Sequence, residues 1–391
     1  MTEQSYMAPQ SVSRLAQRAL IVGLLGFAGC AVGILTNPEQ FFRSYLVGYL
    51  LTLGVALGCL GLLMVQHMTG GNWGILIRRP LEAATRSIPL LAILFVPIYF
   101  GMHRLYVWTG PMKEPLSDFQ KGYLTIPGFL SRAVFYFGIW ILLSLLLNRW
   151  SLEQDTNTED RALRRRLQLL SGPGILLYVF TVTFAAVDWV MSLSPHWVST
   201  IYGFLFVAGQ AISAMALMII VIVMLSRSEP MAHVLQPRHL HDLGKLLFAF
   251  IMLWAYFSFS QLLIIWSGNL PEEIVFYSSR LHGGWGVVAV LLLLFHFALP
   301  FSLLLSRDLK RSTRFLPMIA AAIIFMRAVD LFWLAGPEFF PKGFHLSWLD
   351  FAAPLGIGGI WLAAFAAQLK QRPLLPLGDP KLAEAIQHDE H

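Results

Sequence analysis

The chain has 391 residues, of which 57% are hydrophobic and only 13% charged, about half the roughly 25% charged share of an ordinary soluble domain. Its mean hydropathy is +0.64, and 28 Lys and Arg against 22 Asp and Glu leave a formal charge of +6. A soluble globule cannot hide that much apolar surface, whereas a bilayer can. Composition therefore excludes a soluble enzyme, a disordered chain and a disulfide scaffold, and it predicts an integral membrane protein.

The N-terminal residues Met1 to Gln17 are polar and lack the short apolar core and small-residue cleavage site of a removable signal peptide, so the first apolar stretch is expected to be retained. Ten stretches are long enough to span: Ala19–Leu35, Tyr45–Met68, Ile88–His103, Pro127–Leu147, Ile175–Val190, Thr200–Leu225, Asp242–Trp266, Gly283–Leu305, Leu316–Leu334 and Leu346–Ala367. Each is read as a helix, because hydrocarbon offers no partner for an unpaired backbone group. The period-2 pattern of an outer-membrane barrel is absent. Cys30 and Cys59 both fall inside these segments and suggest neither a disulfide framework nor an iron–sulfur ligand run.

Loop charges orient the helices. With the N-terminus inside, Arg43, Arg104, Lys113, Lys121, Arg280 and Lys342 are the basic residues of the outer segments. Arg132 and Arg327 lie within spans, and the other twenty of the 28 fall in inner segments. The positive-inside rule then places both termini in the cytoplasm, and the basic balance reports topology rather than nucleic-acid binding. The longest inner loop, Asn148 to Leu170, mixes Glu153, Asp155, Glu159 and Asp160 with Arg161, Arg164, Arg165 and Arg166. It reads as a solvated loop resting on anionic lipid heads, or as a docking surface for a cytoplasmic partner. The tail after Lys370, with Pro373, Pro376 and Pro380 before Glu390 and His391, reads as a mobile terminus.

Ionisable residues inside spans are costly and carry the first functional hypotheses. Arg327 and Asp330 are three residues apart on one face of the ninth span. They form either an internal ion pair or a proton-relay pair in which Arg327 keeps Asp330 ionised. His296 lies past the middle of the eighth span, with His282 nearly four turns earlier on about the same face. Two stacked haems would need a second helix with its own histidine pair, and no other span has one. His296 is then a hydrogen-bonded core histidine or a protonatable relay group.

Toward the outer side lie Asp188, His196, His282, Asp330 and Asp350, with the amides of Gln261 and Asn269. Singly they read as interfacial caps; together they suggest a polar cavity or proton exit. At the inner side Asp242 and Lys245 read as a surface pair or as the mouth of an inner half-channel. Gly54/Gly58 and Gly356/Gly359 are expected to mark close helix packing. Trp254, Tyr256, Phe257 and Phe259 read as packing rather than a quinone slot. No phosphate loop, nucleophile–base set or metal-ligand cluster is apparent.

Several strings resemble a known family. FRSYLVGYLLTLGVALGCLGLLMVQHMTGGNWGILIRRPLEAA (from Phe42), VDWVMSLSPHW (from Val187), LWAYFSFSQLLIIWSGNLPEEI (from Leu253) and RLHGGWG (from Arg280) look like the F subunit (ActF) of bacterial alternative complex III. The resemblance runs from about Ser44 to Leu334. It implies an all-α, NrfD-like protein with two four-helix bundles, spans two to five (about residues 45–190) and six to nine (about 200–334). The first and last helices would be peripheral, and residues 1–18 and 370–391 would be cytoplasmic tails.

By the same resemblance, the chain would sit in the bacterial cytoplasmic membrane as a non-redox subunit of a quinol-oxidising complex. It would support assembly, with proton translocation as a further expectation through Asp242, Lys245, His296, Arg327, Asp330, Asp188, His282 and Asp350. It would bind no cofactor itself. Iron–sulfur clusters and c-type haems would belong to partners: an iron–sulfur subunit, multihaem and monohaem cytochrome c subunits, and in some assemblies a terminal oxidase. A paralogous NrfD-like subunit would hold the quinol. A direct quinol-binding subunit and a stand-alone secondary transporter are the alternative readings, and a transporter should show corresponding interrupted helices in two repeats.

Overall fold

A computed structural model describes residues 6–112, 114–156, 161–229 and 231–386. The residues Lys113, Glu159, Asp160, Glu390 and His391, used above in the charge pattern, lie outside the described residues. Among the described residues the chain is helical, with no strand.

Ten helices are long and apolar enough to cross a membrane: Gln10–Thr36, Pro38–Thr69, Asn72–Phe100, Ile126–Thr156, Ala162–Leu193, Tyr202–Leu225, Pro237–Gly268, Trp285–Leu305, Phe315–Phe339 and Leu349–Leu369. The shortest have 21 residues, which at about 1.5 Å per residue matches a hydrocarbon core of roughly 30 Å. Both termini emerge at one end of the bundle, where the Leu374 amide donates to the Tyr6 carbonyl at 2.8 Å.

The second and sixth spans are the inner helices, with 83% and 78% of their apolar windows buried, whereas the first, seventh and eighth are 22–28% buried and present apolar faces outward. The second span packs on the third, fifth, sixth, ninth and tenth, and the sixth on the second, fifth, seventh and ninth. The first span lies along the tenth. Glycine permits the closest of these approaches. A Cβ on Gly58 would sit 2.1 Å from the Gln210 carbonyl oxygen, and one on Gly26 would sit 2.4 Å from the Gly356 nitrogen. Both glycine sets therefore mark helix contacts, although Gly54 itself has looser surroundings.

Three sequence expectations need correction. The third span begins sixteen residues before Ile88, at Asn72, so Arg78, Arg79, Glu82 and Arg86 belong to the helical span rather than to a loop. It is broken at Arg86–Ser87 and at Phe95, ahead of Pro89 and Pro97, which lack the N–H that would continue the helix and fit its first turn. The segment Asn148–Leu170 is not a long loop: the fourth span runs to Thr156, and helix resumes at Arg161. Nor are the terminal segments free tails. Residues 10–18 are helical. Beyond Lys370, Leu374 and Leu375 are buried, and Gly378, Asp379 and Lys381 hydrogen-bond to the body of the protein. Pro-rich composition argued for mobility, but two buried leucines and an aspartate bound to a buried arginine hold the segment down.

Candidate functional site

The ninth span carries Arg327 and Asp330 one turn apart, and the two side chains form a buried ion pair. The seventh span adds Trp254, whose indole Nε1–H donates to Asp330 Oδ2 at 3.2 Å. The sixth span contributes Gly209 and Phe206. A Cβ on Gly209 would fall 2.1 Å from Arg327 Cζ, so the guanidinium lies flat on glycine backbone, and Arg327 Cζ stands 5.7 Å from the Phe206 ring centroid. Three helices thus meet around one pair of opposite charges.

His296 enters this cluster from the eighth span. Its ring meets Trp254 edge to face, with centroids 4.4 Å apart. It is fully buried, and neither ring nitrogen has a hydrogen-bond partner. The backbone around it, Leu292–Ala298, forms a wide π-helical turn in which the Leu299 N–H reaches back five residues to the Leu294 carbonyl. Pro300 supplies a physical reason: its ring would clash with the carbonyl four residues earlier, which is that of His296. Widened turns of this kind recur at functional sites, and an unsatisfied buried imidazole is uncommon enough to need an explanation.

A small cavity of about 20 Å³ adjoins the cluster, bounded by Leu53, Trp140, Trp189, Gln210, Ser213 and Arg327 among others. That is room for about one water molecule. It lies between Arg327 and the helices that carry the next buried acid, Asp188. Asp188 is fully buried and receives a bidentate contact from Arg132 (Nε to Oδ2 2.9 Å, Nη2 to Oδ1 2.8 Å) and the Tyr136 hydroxyl at 2.8 Å. Arg132 also lies 3.8 Å from the Tyr123 ring centroid. Asp188 is a cross-linker of the fourth and fifth spans, and its partners could not be read from spacing because they come from another helix.

The other expected residues stand apart from this core. Asp350, at the start of the tenth span, accepts from Ser44 Oγ (2.6 Å), Gln40 Nε2 (3.1 Å) and the Ser347 amide (2.8 Å). His282 is exposed, with Nδ1 2.6 Å from the Ser278 carbonyl oxygen. Asp242 and Lys245 form an exposed pair at 3.3 Å. Gln261 accepts from Ser199 at 3.3 Å, and Asn269 closes the seventh span in a left-handed conformation, φ 49°. Asp188, His282 and Asp350 therefore have separate local partners, whereas Arg327, Asp330 and His296 are brought together around Trp254.

The largest buried charge cluster was not anticipated at all. On the third span Glu82 is flanked by Arg78 (Nε 3.2 Å) and Arg79 (Nη1 2.6 Å). Arg78 also donates to Ser151 and Gln154 of the fourth span, both at 2.8 Å, and to Asp379 of the C-terminal segment at 2.9 Å. Arg79 pairs with Asp155, and Arg372 lies 3.7 Å from Glu82. The RRPLE spacing was the only signal: Arg–Glu at i,i+4 and i,i+3 on one helix face. With every charge matched, this cluster joins two spans to the C-terminal segment.

Compared with known proteins, the chain matches no family model and no curated sequence. Among the described residues no group of three or more His, Cys, Asp or Glu side chains could hold a metal ion. One large apolar groove, about 860 Å³, opens between the second, eighth, ninth and tenth spans, with Phe295, Phe325, Phe332 and Phe351 in its walls and Asp350 at its edge.

Proposed function

We propose that this chain is a non-redox integral membrane subunit of a quinol-oxidising respiratory complex of the alternative complex III kind. In this reading it sits in the bacterial cytoplasmic membrane with both termini inside. Quinol, iron–sulfur clusters and c-type haems belong to partner subunits, and this chain braces the assembly and passes protons. The strings that resemble the F subunit supply the family part of the reading. They form the most buried span and much of the end opposite the termini, where Trp197 stacks on Phe276 at 4.0 Å.

The observation that carries the proton-handling part is the cluster of Arg327, Asp330, Trp254 and His296. It unites an acid, a cation and a histidine with two unpartnered ring nitrogens, all buried. The cluster gathers a buried acid and a buried cation of one helix and a buried imidazole of a second around Trp254 of a third. The test is proton uptake per electron in the purified complex carrying Asp330→Asn or His296→Phe. The proposal expects quinol oxidation to continue with a lowered proton-to-electron ratio. An unchanged ratio at normal turnover would remove this cluster from any proton path.

A second reading, direct quinol binding, is favoured by the apolar groove with Asp350 at its edge. It expects Asp350→Asn or Leu355→Trp to abolish quinol oxidation in an assembled complex, a result the first reading does not allow. The transporter reading lacks matching features. The helix breaks fall in the third and eighth spans, which are not equivalent positions in the sets two to five and six to nine.

A further inference from the structure

At the end of the bundle that bears the termini, the sixth span stops at Leu225 and the ninth begins at Phe315. Between them lies a cavity of about 700 Å³. Its rim carries Arg227 and Arg314 with the hydroxyl residues Ser226 and Thr313, and its lower wall includes Val223 and Met318. The two halves differ in chemistry: cations and hydroxyls at the helix ends, hydrocarbon below them along the spans. Met318 is 60% exposed and faces outward, so the apolar half is continuous with the lipid-facing surface.

The two arginines are not neutralised. Neither has a carboxylate within salt-bridge distance among the described residues. The acid on the adjoining loop, Glu229, is engaged by His233 at 2.8 Å. The nearest acid in sequence to Arg314 is Asp308, in the helix Arg307–Arg311, where it is outnumbered by Arg307, Lys310 and Arg311. The positive end of the ninth helix's dipole opens at the same place. Both arginines are exposed, and both line this one cavity. Arg227 and Arg314 are left for an anion from outside.

We propose that this cavity binds one anionic phospholipid, its phosphodiester held between Arg227 and Arg314 and an acyl chain lying along Pro317, Met318 and Ala321. A free inorganic anion would satisfy the arginines but would leave the apolar wall unused. A neutral phospholipid would fill the wall but would bring no net charge to the rim. Only a molecule with a negative head and a hydrocarbon tail matches both halves. Basic residues near a membrane surface contribute enough attraction that losing two of them should weaken binding about thirtyfold.

The test uses the full-length protein, delipidated in neutral detergent, titrated separately with phosphatidylglycerol, with phosphatidylcholine of the same chains and with inorganic phosphate. Adducts are read by native mass spectrometry. The expected result is a single phosphatidylglycerol bound well ahead of phosphatidylcholine. Arg227→Gln/Arg314→Gln should weaken it about thirtyfold, while Arg165→Gln/Arg166→Gln, an equal loss of charge at exposed residues of the same end, should leave it in place. Met318→Trp, which fills the apolar half, should also weaken lipid binding. Thermal melting of each variant in the same detergent checks that it is folded; both arginines are exposed and unpaired, so melting should be unchanged. Equal binding of the two lipids, or wild-type binding by the Arg227/Arg314 variant, would overturn the site. Displacement of the lipid by equimolar inorganic phosphate would overturn the lipid assignment.

Discussion

Replacing Glu82 by Gln removes one charge from a balanced cluster. Arg78, Arg79 and Arg372 face Glu82, Asp155 and Asp379, and Glu82 is 0% exposed while Arg78 and Arg79 are 2% exposed. Water cannot stand in for the lost carboxylate there. Breaking a buried pair by removing one partner costs about 3–5 kcal/mol. The lower part of that range applies here, because Arg78 keeps Asp379 and Arg79 keeps Asp155. The double variant Glu82→Gln/Arg372→Gln leaves two cations and two anions, with Arg78 still paired to Asp379 and Arg79 to Asp155. It should cost less than Glu82→Gln alone, since replacing both charges of a buried pair is far milder than stranding one. Denaturant titration in detergent micelles, followed by tryptophan fluorescence, gives both values. A loss of about 3 kcal/mol for Glu82→Gln with at least about 1 kcal/mol recovered in the double variant is expected. A Glu82→Gln effect under about 0.5 kcal/mol, the scale of an ordinary surface change, would refute the argument.

Gly209→Ala should destabilise by about 1–3 kcal/mol, the usual cost of overpacking, because the new Cβ displaces the Arg327 guanidinium. Gly54→Ala, whose nearest neighbour would be 3.5 Å away, should be close to neutral in the same titration. Asp379→Asn should release the C-terminal segment from Arg78, read as faster proteolysis after Lys370 with the spans still intact; unchanged cleavage would show that the other contacts of the segment, among them Leu374, Leu375, Gly378 and Lys381, suffice to hold it. For orientation, single cysteines at Lys121 and Arg165, introduced where the two native cysteines are buried, should differ in intact cells. A membrane-impermeant maleimide should label the Lys121 position and not the Arg165 position, and the reverse pattern would invert the topology.

The number of spans was legible because hydropathy over about 20 residues is a local property of the sequence. Their ends were less so. Arg78, Arg79 and Glu82 look like loop residues to any hydropathy window, but they neutralise one another inside the protein and can therefore lie within a span. The Arg327–Asp330 pair was legible from its one-turn spacing. Its setting was not: Trp254, Gly209 and His296 come from three other helices, and only tertiary packing brings them together. The partners of Asp188 were hidden for the same reason. The π-helical turn at His296 had one trace in the sequence, Pro300 four residues later. The docking of the C-terminal segment rests on contacts with residues some 220 to 310 positions away in sequence, which no local pattern encodes.

The central claim concerns what this chain assembles with. Affinity purification of the tagged protein from its native membranes in mild detergent, followed by subunit analysis and visible spectroscopy, tests it most directly. The account predicts co-purification in fixed proportion with a second polytopic subunit, an iron–sulfur subunit and c-type haem bands that are reduced on adding quinol. A solitary, haem-free chain from membranes in which such a complex is otherwise intact would contradict it.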